Sequence, residues 1–278
     1  MIAGDGDGWV VLPDGTRRWG RHGAAGLLLY TGDAAGSGHV LLQHRAWWSH
    51  QGGTWGVPGG ALDSGETPEE AALREFGEEV AGELGRVAYS GVHRQEHGVW
   101  RYDTVLGRLA ERRLFTPGNN ESSAIQWVAF DRVERLRLLP AFRRVWPELR
   151  AALGLRVELE VEAAAVLDGS AADPAAVAVL RDDLARLAAA GVAAAELPAG
   201  VAPVALHRWY PRVRLVVPEA AAGVAAVPGV EVVAAGAAGD TGNGAVPTVR
   251  VAAGARARDG ALVVPPGWLL GPRGLLRA

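Results

Sequence analysis

Between Gly60 and Gly82 the chain reads GALDSGETPEEAALREFGEEVAG, which predicts one capped helix carrying Glu75, Glu78 and Glu79 at spacings of three and four. Thr67 can cap it, Pro68 suits the first helical position, and Glu70 can reach back to the Thr67 amide. At about 100° per residue Ala72, Leu73, Phe76 and Val80 gather on one side, and the three glutamates fall together on an adjacent side. One face packs and the other presents acid. Like charges so spaced repel by roughly a few tenths of a kcal/mol per pair, a penalty that a divalent cation removes. Oxygen donors without sulfur or imidazole suit a hard ion, Mg²⁺ first and Mn²⁺ as its substitute. A solvated acidic face is the plainer account of such a helix. The stretch ahead of it, Trp55-Gly56-Val57-Pro58-Gly59-Gly60, weighs against that account, because adjacent glycines after a proline let backbone groups approach a ligand closely.

Gly60, five residues, Glu66, seven residues, then Arg74-Glu75-Phe76-Gly77-Glu78-Glu79 resembles the signature of the Nudix hydrolases, enzymes that cleave diphosphate linkages in nucleoside diphosphates joined to another group. The resemblance implies an α/β/α sandwich with a mixed sheet over residues 1–150. It also implies Glu75, Glu78 and Glu79 as Mg²⁺ ligands, with the Gly60 carbonyl beside them and Arg74 orienting the acids. Glu66 matches the motif's first glutamate and reads as structural, a loop-to-helix charge pair. The implied chemistry is metal-assisted hydrolysis in which a carboxylate accepts the proton of the attacking water. Spacing leaves open which carboxylate that is. Glu96 and Glu121, on predicted loops after the helix, are outside candidates. The chain departs from the pattern after the last variable position, where Ala81-Gly82 replaces glycine followed by an aliphatic residue; Gly82 is then expected to stop the helix in a left-handed conformation. Gly77, inside the helix, costs about 1 kcal/mol relative to alanine.

Upstream, Ala24 to Tyr30 and His39 to Gln43 read as a hairpin. Arg45 follows the second strand and, with Gly59 and Gly60, is placed for a phosphate. A flat ring could stack on a base, but Trp47, Trp48 and Trp55, close to Pro and Gly, read as a hydrophobic wall. Downstream, Val87 to Val92, Trp100 to Leu109 and Ile125 to Phe130 are strand candidates, with a bend at His97-Gly98. A closing helix is expected over Arg143 to Leu153, interrupted by Pro147. His93 and His97 lack paired ligand spacing, so no metal is assigned to them.

From Ala151 onward small apolar residues dominate, which predicts a separate α/β domain over residues 151–278 with a mainly parallel sheet. Val157 to Leu167 is a strand candidate. Asp173-Pro174 caps a helix to Ala190 that Gly191 ends, and Val213 to Val217, Val230 to Ala234, Val249 to Ala253 and Ala261 to Val264 supply further strands. This half is weakly similar to PIN and NYN nuclease-like domains, which need several aspartates converging at strand ends. Asp168 and Asp240, with Glu162, are what it offers, so it reads as a degenerate fold of that type.

There is no cysteine, which excludes disulfides and thiolate sites. The Asp5 and Asp7 N-terminus argues against a secretory signal, and the Ala-rich 219–238 segment is broken by Pro228 and glycines, so a cytoplasmic chain is expected. A net charge of −3 disfavours a dedicated nucleic-acid binder. The expected partner is a small-molecule nucleotide, whose identity and the chain's oligomeric state the sequence leaves open. Two functions follow: an active Mg²⁺-dependent nucleotide pyrophosphohydrolase, or a catalytically weak nucleotide sensor or partner-binding protein.

Overall fold

The computed structural model describes residues 4–32, 37–236, 246–254, 261–270 and 274–276. The chain divides into two compact units, Met1–Gly154 and Leu155–Ala278. Asp240 lies outside the described residues.

The first unit opens with a two-stranded ribbon, β1 (Trp9–Val11) and β2 (Arg17–Trp19). Its main sheet uses β3 (Ala24–Gly32), β4 (Gly38–Arg45), β8 (Ala88–His97), β9 (Trp100–Arg108) and β11 (Ser122–Ala129) in the order β11-β4-β3-β9-β8. Short β5 (Trp55–Gly56) pairs with β4, and β6 (Gly59–Ala61) pairs with β3. The sheet is mixed: β3 and β9 run parallel, the other neighbours antiparallel. With helices α1 (Pro68–Glu79) and α2 (Pro140–Ala152) it forms an α/β/α sandwich. Strand β3 is the spine, because Leu27, Leu28 and Leu29 are fully buried, the continuous apolar run of a strand covered on both faces. Gly98 turns the β8–β9 hairpin with φ +71°.

Helix α1 starts as its sequence demands. Thr67 Oγ1 accepts from the Glu70 amide at 3.2 Å, and Glu70 Oε2 accepts from the Thr67 amide at 2.9 Å. Its end differs from expectation. The last helical residue is Glu79; Val80 is extended at φ −125°, ψ 121°, and Val80–Ala81 form β7, paired with β10 (Thr116–Pro117). Gly82 is therefore not the helix terminator. It stands at φ +134° where a Cβ would lie 2.7 Å from the Leu114 carbonyl, so close approach of two loops is what keeps it glycine. The packed face also shifts. Ala71, Ala72 and Phe76 are buried, whereas Leu73 is exposed and Glu79 is only 5% exposed.

Helix α2 begins three residues earlier than expected, after a 3-10 turn over Phe130–Arg135, and Pro147 lies inside it without interrupting it. The buried stripe Phe142, Val145, Trp146, Leu149 and Ala152 outweighs the roughly 3 kcal/mol an internal proline costs. Strand β8 reaches His97, so Glu96 belongs to a strand and not to a loop.

In the second unit, β12 (Glu158–Glu162) is shorter than the expected 157–167, because Ala163–Val166 turn into helix α3, alanine being the best helix former. Helix α4 (Pro174–Ala190) is capped by Asp173, whose carboxylate accepts from the Ala175 amide at 2.9 Å, and Gly191 ends it at φ +69°. A short antiparallel pair follows, β13 (Val192–Ala193) with β14 (Arg208–Trp209). Strands β15 (Arg212–Val217), β16 (Val230–Ala234), β17 (Thr248–Val251) and β18 (Leu262–Val264) join β12 in a wholly parallel sheet ordered β16-β15-β12-β17-β18, with helix α5 (Gly267–Leu270) after it. One face is apolar, with Leu159, Val161, Val213, Leu215, Val249 and Val251 buried; the other pairs Glu160 with Arg250 and Arg214 with Glu231. No helix among the described residues is long and apolar enough to cross a membrane.

Candidate active site

Helix α1 lies on β3 and β6, and two glycines of β6 set how closely. A Cβ on Gly59 would overlap the Ala25 carbonyl of β3, so only hydrogen fits between the strands. A Cβ on Gly60 would sit 2.5 Å from the Glu75 carboxylate carbon. The Gly59 amide donates to Glu79 Oε2 at 2.8 Å. Gly59 and Gly60 thus belong to a strand against which the acidic helix seats, and one of their amides is already committed to an acid.

Arg74 binds four partners. Its Nε and Nη2 make a fork on Glu66 at 2.8 and 2.9 Å, Nη1 donates to Glu75 Oε1 at 2.8 Å and lies 3.4 Å from Glu78 Oε1, and Nη2 donates to the Ala61 carbonyl at 2.8 Å. Glu66 also accepts from the Asp63 amide at 2.9 Å. The Arg74 hydrogen bonds hold Glu66 below its ordinary pKa. They leave it as the strut between loop and helix.

The three helix acids occupy different environments. Glu78 is 39% exposed at its side chain. Burial pushes the Glu75 carboxyl up, the Arg74 hydrogen bond opposes this, and the charges of Glu78 and Asp7 add to it. Burial pushes Glu79 up to about 7 against hydrogen bonds from Gly59 and the Gln43 side chain, with Glu75 raising it further and Arg45 lowering it. Helical periodicity placed these acids on one polar face; the fold instead turns Glu79 inward toward β6 and β4.

Other predicted residues distribute unevenly. Arg45 closes β4 and donates from Nε to the His50 carbonyl at 3.0 Å. The loop carrying Glu121 is latched to the end of α1: the Gly118 amide donates to the Glu79 carbonyl at 2.8 Å and Asn119 Nδ2 to the Glu78 carbonyl at 3.2 Å. The Glu121 carbonyl in turn accepts from the Ala46 amide at 2.8 Å. Glu96 instead lies 3.8 Å from Arg94 within its own strand. The tryptophans do not form a wall. Trp47 is 86% and Trp48 52% exposed, because tight turns over residues 46–53 leave them outside, while Trp55 is half-buried with its ring 4.8 Å from that of His44.

Four residues at the site were missed. Gln43 is buried on β4 and donates from Nε2 to Ser122 Oγ at 2.6 Å. Tyr102 has its phenol pushed far up by burial, with Glu79 next, and Asp7 acts on Glu75 from the N-terminal segment. A polar Gln43 amid Val40, Leu41 and Leu42 was the one local signal available. Among the described residues, no three His, Cys, Asp or Glu side chains are grouped so as to hold a metal ion.

The model of the NUDIX domain matches residues 20–149. A protein of Mycobacterium tuberculosis strain H37Rv named "Putative 8-oxo-dGTP diphosphatase 3" is 50% identical over 158 residues, covering 55% of this chain and 72% of the relative. A "Nucleoside triphosphate pyrophosphatase/Nudix hydrolase fusion protein" of Bifidobacterium longum is 43% identical over 152 residues, 53% of this chain and 32% of its own. Among solved structures, a Nudix hydrolase from M. smegmatis, RenU, is 46% identical, covers 52% of this chain and 93% of its own, and aligns with a TM-score of 0.48.

Proposed function

This chain belongs to the Nudix family and is a hydrolase of a diphosphate linkage in a nucleotide derivative; from that premise we propose that residues 1–150 carry the activity with Mg²⁺ held by Glu75, Glu78, Glu79 and the Gly60 carbonyl. The observation that carries this reading is the seating of Glu75 and Glu79 against the Gly59-Gly60 strand, two carboxylates that burial makes reluctant to ionise and that repel one another. Such a pair fits a hard divalent cation, which supplies the compensating charge; Mn²⁺ shares the preference for oxygen. When bound, Mg²⁺ neutralises the diphosphate and acidifies a coordinated water.

The chain's own residues do the rest. Arg74 holds Glu75 through one nitrogen while its fork keeps the loop end fixed on Glu66. The Gly59 amide restrains Glu79. Arg45, whose charge already bears on Glu79, is offered to a phosphate, and the exposed rings of Trp47 and Trp48 two and three residues on are offered to a base. Glu121, on the latched loop beside Ala46, is the better placed of the two outside carboxylates.

We take a nucleoside triphosphate or diphosphate derivative as substrate, and the M. tuberculosis relative's name puts 8-oxo-dGTP first in the panel to be tried. A cytoplasmic setting, where nucleotides turn over, completes the proposal. The second unit, residues 151–278, is assigned no chemistry. Its parallel sheet is compatible with a degenerate PIN- or NYN-type fold, and Glu162 and Asp168, the described candidates near the carboxyl end of β12, fall short of the several carboxylates such a centre needs.

The test is a panel of nucleotides with Mg²⁺, comparing wild type with Glu78→Gln. Phosphate or pyrophosphate release lowered about 100-fold or more is expected for loss of a metal ligand. Binding of nucleotide without turnover by the wild type would replace the enzyme with a sensor.

A further inference from the structure

Strand β4 sends Leu41, Gln43 and Arg45 to one side, and two of these three act on the same acid, Gln43 by a hydrogen bond to Glu79 and Arg45 by its charge. Gln43 is 1% exposed, and an amide so buried has to find hydrogen-bond partners within the protein. Its Nε2 donates to Ser122 Oγ at 2.6 Å, and its Oε1 is buried without a protein donor. Ser122 is itself 7% exposed and lies opposite Arg45 in the β4–β11 register. That register shifts between Ser122 and Ala124, a bulge of the sort that re-aims side chains beside functional sites. The extra residue, Ser123, bonds His44 on the other side of the strand, so the bulge separates the two serines onto different partners. A buried amide with one atom fixed by a bulge serine, one bond to a site carboxylate and one oxygen unsatisfied is not explained by packing.

We propose that Gln43 is a positioning residue of the site, its side-chain amide held by Ser122 and in turn holding the Glu79 carboxylate against the Gly59 amide in the orientation that receives the cation. The inference rests on the reading of Glu79 as a metal ligand. Gln43 touches neither substrate nor metal; it removes the rotational freedom that Glu79 would otherwise lose on binding, as partners behind a ligand do elsewhere. The Glu79 carboxylate selects which end of the amide faces it, because the flipped glutamine would present its oxygen and repel it, and Ser122 Oγ, accepting from Nε2, holds the side chain in place.

Mn²⁺ binding, measured by water-proton relaxation without substrate, separates the possibilities in wild type, Gln43→Leu, Ser122→Ala, Glu79→Gln and the double variant Gln43→Leu/Glu79→Gln. Thermal unfolding without metal is recorded for each. Gln43→Leu is expected to bind Mn²⁺ about 10-fold or more weakly, Ser122→Ala several-fold more weakly, and the double variant no more weakly than Glu79→Gln alone, since the two act through one group. Wild-type affinity in Gln43→Leu, or independent multiplying effects in the double variant, overturns the positioning role while the site stands. Wild-type affinity in Glu79→Gln overturns the site reading itself. If Gln43→Leu fails to fold, Ser122→Ala decides, and unchanged Mn²⁺ affinity there overturns the role. A purely structural glutamine would lower the melting temperature and leave Mn²⁺ affinity untouched.

Discussion

Replacing Glu79 with glutamine should make the metal-free protein more stable at alkaline pH while abolishing its function. Glu79 ionises near 4.5 in an unfolded chain, but burial beside Glu75 pushes it up to about 7 in the fold. Between those values the unfolded chain has released a proton that the folded one still holds, so stability is full below about pH 4.5 and falls as pH rises through about 7. The gap corresponds to about 3 kcal/mol, an order-of-magnitude figure and a large fraction of a domain's stability. Glutamine keeps an acceptor oxygen for the Gly59 amide and carries no charge. Urea unfolding in EDTA, followed at about pH 5 and about pH 8.5, should show wild type losing roughly this much relative to Glu79→Gln over the interval. Comparing wild type with Glu79→Gln cancels the contribution of every titrating group not coupled to Glu79. Mg²⁺ should restore the wild type at the higher pH and leave the variant unchanged. Parallel pH profiles, or a wild type that is the more stable protein at high pH without metal, would refute the claim that burial of this acid opposes folding.

Further outcomes follow from the glycines and tryptophans. Gly77→Ala should stabilise by about 1 kcal/mol with activity retained, because a Cβ there meets nothing within 4 Å; thermal unfolding reads this. Gly59→Ala and Gly60→Ala should differ in kind. The first sets a methyl into the backbone of β3 and should cost about 2 kcal/mol or more. The second meets only the movable end of Glu75, so it should fold and lose about 10-fold or more in turnover. Trp47→Ala should change stability by no more than about 0.5 kcal/mol, since its ring is 86% exposed. It should raise KM for nucleotides and leave hydrolysis of inorganic triphosphate unaltered.

What the sequence made legible is what neighbours in the chain decide. The start of α1 depends on Thr67, Pro68 and Glu70, all within one turn, and it forms as its residues require. Glu66 was readable as one end of a loop-to-helix charge pair, but its partner Arg74, eight residues on, emerges only in the fold. Burial of Glu79 was not readable, because the Gly59 amide that draws it in lies 20 residues away and belongs to another element. Leu73, expected on the packed side, stands exposed on the same helix. Gln43 and Ser122 meet across 79 residues through a bulged register that no periodicity announces. In the second unit, composition and turn residues located the five strands of the parallel sheet but not the short β13–β14 pair, and the order in which the strands lie depends on crossovers and not on pattern.

The departure at Ala81-Gly82 also acquires a physical meaning. A helix that slipped by one residue would rotate by about 100°, carrying Glu75 away from Gly60 and Glu79 away from the Gly59 amide. Register therefore matters more here than the identity of the terminator. It is fixed at both ends by means other than a glycine cap, by the Thr67–Glu70 box at the start and by β7 pairing with β10 at the end. The loop after β10 adds two bonds to the Glu78 and Glu79 carbonyls, occupying acceptors that a left-handed glycine would otherwise have to satisfy. Since the last helical residue is Glu79, residues 81 and 82 lie beyond the helix itself: Ala81 serves the β7–β10 pairing and Gly82 the close approach to Leu114, and with both met Glu75, Glu78 and Glu79 stay in place. The departure at the motif's end and the glycines at 59 and 60 thus answer one constraint: the acids must meet the glycine strand, whatever holds the helix there.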